Sequence, residues 1–208
     1  MTGTDTLDPL DPLDPTAATP SPPAPRRRRR RHRLLAALSA LVVLVAGYTV
    51  WANVHAVRLT ASVEIRATPE QVWQVLADFD AYPDWNPFMT SARVTSPGAR
   101  LAEGARMRIV LHDDSGDMTF TPQVQAAVPG KELRWLGRMG PGWIADGQHR
   151  FTIERTGPGR VRLTQSERFT GIAVPFAQGT LKSDTLPQFR AMNAALAREA
   201  ERLDDPEG

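Results

Sequence analysis

No cysteine occurs in the 208 residues, which excludes a disulfide framework, a zinc–thiolate site and a thiol nucleophile. The four histidines, His32, His55, His112 and His149, are scattered without metal-ligand spacing, so no metal is expected. Neither a GxGxxG nor a Walker pattern is present, and no nucleotide or other cofactor is expected either. The acids around Gly116, in His112-Asp113-Asp114-Ser115-Gly116-Asp117, lack the following Glu of an EF-hand and suit a hairpin loop. A sequence pI near 9.5 suggests nucleic acid, yet seven of the 25 basic residues are Arg26 to Arg31 and Arg33. Setting these aside with Asp5, Asp8, Asp11 and Asp14 leaves 18 basic against 19 acidic residues in the rest of the chain, which is no phosphate-binding surface.

What is present divides the chain into four parts. Residues 1–33 hold a threefold Leu-Asp-Pro repeat at 7–15 and seven prolines before residue 26, a composition too polar to offset the entropy of ordering. This part reads as a disordered tail, a solvated spacer or a docking peptide, ending in the arginine run. Residues 34–56 contain Leu34 to Ala52, nineteen residues without a charge. As a helix they span about 28 Å, close to the hydrocarbon thickness of a bilayer. Tyr48 and Trp51 stand where an interfacial belt belongs, and the arginines would remain cytoplasmic, sending the chain beyond Ala56 across the membrane. A single-pass anchor is therefore expected through residues 34–52. The alternative is a signal peptide cleaved after Ala52 or Ala56, giving a secreted domain.

Residues 57–204 change period. Val57, Leu59, Ala61, Val63 and Ile65 alternate with polar residues as a half-buried strand. Thr68-Pro69-Glu70-Gln71 then supplies an N-cap, a first-turn proline and a capping box for a short amphipathic helix. Strand-like stretches come next at about 88–96, 104–112, 117–127, 131–138, 147–155 and 160–170, and a helix at about 183–203 with Pro187 in its first turn or kinking it. The order predicts an α+β fold, one curved antiparallel sheet of about seven strands around a long C-terminal helix, with residues 205–208 as a tail.

The segment ATPEQVWQVLADFDAYPDWNPF at 67–88 resembles the opening of the SRPBCC superfamily, the START-like or helix-grip proteins, in its polyketide cyclase and dehydrase branch. KELRWLGRMG at 131–140, GQHRFTIER at 147–155, VRLTQSERFTGIAVP at 161–175 and FRAMNAAL at 189–196 are similar to later segments of an uncharacterised bacterial subfamily. The resemblance implies a deep cavity between the curved sheet and the C-terminal helix. It does not select among the superfamily's lipid carriers, hormone receptors, cyclases and chaperone activators.

Strand parity supplies a candidate site. Val161, Leu163 and Phe169 share a face with Gln165 and Glu167, and Phe151 and Ile153 share one with His149. Folding the hairpin about Pro158 sets His149 opposite Glu167, or opposite Gln165 after a two-residue shift. The trio would line an otherwise apolar cavity, with Asn193 as a further polar contact or as a cap on a local backbone gap. It could instead be a mutually satisfied buried cluster, or be turned outward by a bulge. Met107, Ile109, Leu111, Met118, Phe120, Leu133 and Trp135 share inward parities, Met192 and Leu196 face inward on the last helix, and Trp85, Asn86 and Phe88 form an entrance or a support. Three functions fit: a membrane-anchored module binding a lipid or other hydrophobic small molecule, a cyclase or dehydratase with His149 and Glu167 as acid and base, or an interaction protein without a ligand. The oligomeric state is not encoded in any of these features.

Overall fold

The computed structural model describes residues 26–113 and 116–203. Of the tail expected as disordered at 1–33, residues 1–25 lie outside them, as does the tail at 205–208, while residues 26–33 are helical. The chain divides into two compact units, Met1–Leu44 and Val45–Gly208. Helix α1, Arg26–Val54, runs through the boundary. It starts within the arginine run rather than at Leu34, since arginine is a good helix former and no breaker separates the run from the apolar segment. Its stretch Arg29–Val54 is long and apolar enough to cross a membrane.

The domain then runs β1 (Val57–Ile65), α2 (Pro69–Ala77), α3 (Tyr82–Trp85), β2 (Met89–Val94), β3 (Met107–Asp113), β4 (Gly116–Phe120), β5 (Gln123–Val128), β6 (Glu132–Met139), β7 (Ala145–Gly157), β8 (Arg160–Thr170) and α4 (Val174–Arg202). All strand pairs are antiparallel, in the orders β1-β8-β7-β6-β5 and β2-β3-β4. This is the α+β, helix-grip arrangement expected, with eight strands in a five-stranded and a three-stranded sheet instead of about seven in one. The stretch read as one strand at 117–127 divides at Thr121-Pro122, because proline has no N–H to donate to the ladder. Its first half pairs with β3 and its second with β6, and the Arg106–Gln123 bridge continues the sheet past the break.

Local chemistry sets the elements as read. The Thr68 side chain accepts from Gln71 N (3.3 Å) while Gln71 Oε1 accepts from Thr68 N (2.7 Å), with Pro69 opening α2. Tyr82 is fully buried and its hydroxyl donates to Leu76 O (2.8 Å), tying α3 back onto α2. Burial pushes the Tyr82 phenol far above the ordinary tyrosine range, the nearby Asp78 charge adding to it, so it serves only as a neutral donor.

Helix α4 begins at Val174, about nine residues before the expected start. Pro175, not Pro187, occupies its first turn, where a missing N–H costs nothing. Pro187 lies inside and leaves the Ser183 carbonyl without its helical donor. The face Phe189, Met192, Asn193, Leu196 and Ala200 is buried against the sheet, whereas Leu203 caps the helix and is exposed.

Candidate functional site

Successive rows across the sheet build the site. Leu133, Phe151, Gln165 and Ala61 pair in one row, and Trp135, His149, Glu167 and Leu59 in the next. Gly137, Gly147, Phe169 and Val57 form the third. Phe189 and Met192 of α4 reach the first two rows, His149 lying 5.1 Å from the Phe189 ring and Gln165 Nε2 3.6 Å from Met192 Sδ. In the third row two facing glycines present no side chain. A cavity of about 260 Å³ opens there, lined by Trp135, Gly137, Gly147, His149, Glu167 and Phe169 from these strands. Phe88, Met89, Ile109, Leu111, Phe120 and Pro122 form its opposite wall, and Met118, Arg138, Met139, Ala145, Asp146 and the α4 residues Leu181, Asp184, Thr185 and Gln188 complete it.

The His149–Glu167 pairing falls in the register expected from folding about Pro158. His149 Nδ1 lies 3.3 Å from Glu167 Oε2, and Gln165 Nε2 donates to His149 Nε2 at 3.1 Å. With Nε2 accepting, the ring proton sits on Nδ1 and is donated to the carboxylate. His149 is 4% exposed and stacked on Trp135, ring centres 4.9 Å apart and planes at 9°, with Phe151 at 4.9 Å. The imidazole is thus fixed on every side. Gln165 is fully buried behind it, its Oε1 without a partner. A Cβ at Gly147 would meet Glu167 Oε1 at 2.5 Å and the Phe169 ring at 3.4 Å, so any side chain there would push the carboxylate from its place.

Of the residues expected to line the cavity, Phe88, Ile109, Phe120, Trp135, His149 and Glu167 do so. Met107, Phe151, Gln165, Met192 and Leu196 are fully buried in the core behind it. Parity identifies the inner face of a strand but not how far along it α4 stays in contact. Asn193 is a structural tie: its Nδ2 donates to Ala61 O (3.1 Å) on the edge strand β1. Trp85 packs edge-on against Tyr82 at 5.0 Å, and Asn86 Oδ1 accepts from Phe88 N (3.0 Å) and Met89 N (2.9 Å), so both support the wall from outside the cavity. Met118 is 46% exposed at the rim, because β4 is an edge strand. Sequence reading placed Phe169 on the inner face without assigning it to the cavity, and passed over Asp146, Gly147 and the α4 stripe Leu181, Asp184, Thr185 and Gln188. Asp146 Oδ2 lies 3.8 Å from Arg138 Nε, and its Oδ1 is buried without a partner.

Residues 56–201 match the model of the family described as polyketide cyclase / dehydrase and lipid transport. The chain belongs to this family. No curated protein matches it. Among solved structures it is similar to the Zhui aromatase/cyclase from Streptomyces sp. R1128, at 18% identity and a TM-score of 0.60 over 74% of this chain and 99% of that one. A START superfamily protein from Mycobacterium smegmatis matches at 20% identity and 0.55, covering 70% and 98%. A norcoclaurine synthase point mutant from Thalictrum flavum matches at 11% and 0.57, covering 72% and 97%. These likenesses establish the fold of the family member, an SRPBCC helix-grip domain.

Proposed function

We propose that this family member is a membrane-anchored binding module for a lipid or other hydrophobic small molecule. The observation carrying the reading is the cavity, a largely apolar chamber with the His149–Glu167 pair on its sheet side and Asp184, Thr185 and Gln188 on its α4 side. Its size lies near the lower end of small-molecule sites, roughly 300–1,000 Å³, which suits a single-chain or compact ring ligand better than a two-chain phospholipid. Of the His149–Glu167 pair only the carboxylate keeps an acceptor for a ligand, which suits a polar end that donates, such as a hydroxyl.

Acid–base chemistry is less well supported by the same geometry. Both imidazole nitrogens are occupied, Nδ1 by Glu167 and Nε2 by Gln165, so neither is free to take a substrate proton. Native mass spectrometry of the full chain released from detergent should show a bound hydrophobic adduct of constant mass. A bare chain in every preparation, with no uptake of added hydrophobic ligands, would sink the binding reading and favour an interaction protein.

Anchoring rests on α1, and its orientation on the arginine run, with residues before Leu34 cytoplasmic and the domain outside. The absence of native cysteine makes this simple to test. A cysteine replacing exposed Arg100 should react with an impermeant maleimide in intact cells. Labelling only after lysis would reverse the topology, and a chain lacking residues 1–52 would replace the anchor by a cleaved signal.

A further inference from the structure

We infer that the rim of the cavity rests on the bilayer that holds α1, so that a hydrophobic ligand passes between membrane and cavity without crossing water. The inference rests on the anchor reading and adds a surface, a partner and a direction of entry.

Register places the entrance. Val57 pairs with Phe169 and Asp146 with Thr170, so the end row of the sheet holds the start of β1, reached three residues after α1 ends, together with cavity residues Asp146 and Phe169. The last turns of α1, which belong to the same compact unit as the domain, are tied to that end. Tyr48 Oη donates to Ile172 O at 2.7 Å, and the Tyr48 ring lies 6.3 Å from Phe176 on the first turn of α4. Ile172 N donates to Trp143 O (3.0 Å) and Ala173 N to Ile144 O (3.1 Å), which joins the β6–β7 loop to the same corner.

The surface there is apolar. Among the described residues of the domain from Val57 onward, six large hydrophobic side chains are exposed, and four of them belong to the cavity or to the segments framing it. These are Met118, Met139, Trp143 and Phe176, the last 84% exposed. Trp51, 48% exposed, continues the patch onto α1. Exposed aromatic and Met side chains beside an anchoring helix match the composition of a membrane interface, where rings with an apolar body and a polar tip are favoured. Left in water, such a patch is a liability, and the bilayer entered by α1 is the surface continuous with it.

The test uses the full chain reconstituted in phosphatidylcholine vesicles containing a doxyl-labelled phospholipid quencher. Single cysteines replacing Phe176, Trp143 and Arg160 carry bimane. Arg160 opens β8 next to the β7–β8 turn, roughly 33 Å along the strand from Thr170 at about 3.3 Å per residue. Quenching at positions 176 and 143 should be several-fold stronger than at 160. Equal quenching at all three positions, in chains that remain with the vesicles after alkaline carbonate, would overturn the inference while leaving the anchor standing. Release of the chain by carbonate would overturn the anchor and the inference together. Bimane shielded from doxyl lipid but sensitive to the protein-to-lipid ratio would assign the patch to a second copy of this chain, which also overturns it. Two independent positions keep the result decisive if one variant fails to fold.

Discussion

Replacing Trp135 by Ala is expected to destabilise the domain by about 3–5 kcal/mol, the usual cost of truncating a buried large aromatic. The indole is 5% exposed, lies flat on the His149 imidazole and tilts against Phe151 at 5.6 Å. One edge borders the cavity, where there are few atoms to lose, and this places the expected value toward the lower end of the range. The loss also removes the plate that fixes His149, so ligand binding should fall even under conditions where the variant remains folded. Urea unfolding followed by far-UV circular dichroism measures the first effect. A change under about 0.5 kcal/mol, typical of surface positions, would mean that the inner face of β6 has been misassigned.

The inner face was legible because side chains alternate strictly along a strand and the turn at Thr156-Gly157-Pro158-Gly159 sets the pairing. Folding the hairpin about Pro158 leaves two partners for His149, Glu167 or Gln165 after a two-residue shift, and the structure pairs it with Glu167. The closing pair Gly157–Arg160, continued without interruption, would set His149 opposite Arg168; the bulge between Arg155 and Gly157 moves the pairing by one residue to Arg155–Val161 and so brings His149 opposite Glu167. The capping box of α2 was legible for a similar reason: it is a local contact within four residues.

Position along the strands was not legible. Parity treats the Gln165 row and the Glu167 row alike, yet α4 covers the first and leaves space over the row beyond the second. That space comes from Gly137 and Gly147, residues that carry no hydrophobic signal and are hydrogen-bonded neighbours only after two strands have paired. The α4 half of the wall was hidden by composition. Leu181, Asp184, Thr185 and Gln188 keep helical spacing, but three of the four are polar, and Pro187 drew the expected helix start toward itself. A helix stripe in which one residue of four is apolar has no periodicity in hydrophobicity to read.

His149→Ala and Glu167→Gln should each weaken ligand binding by about 1–3 kcal/mol, the cost of leaving a buried hydrogen-bonding partner unmatched. In the first variant Glu167 loses the Nδ1 donor and Gln165 loses the acceptor for its amide, which already has an unpartnered oxygen. In the second, one carboxylate oxygen becomes an NH2 group that can only donate, so an amide that turns its carbonyl to the imidazole presents a donor where the ligand's donor had found an acceptor. Because the two side chains share one network, their effects should be non-additive by roughly 0.5–3 kcal/mol in a double-mutant cycle. Titration with the co-purified ligand, or with a neutral hydrophobic dye such as Nile red, provides the four affinities. Strict additivity, or two silent substitutions, would show that the pair does not act on the ligand and would reduce it to a support for Trp135. A catalytic pair would leave a different signature, near-normal binding with turnover reduced by about 10² to 10⁴. The geometry favours the first outcome, since the imidazole spends both nitrogens on protein partners and only Glu167, at the cavity wall above Gly147, has an oxygen left for the ligand.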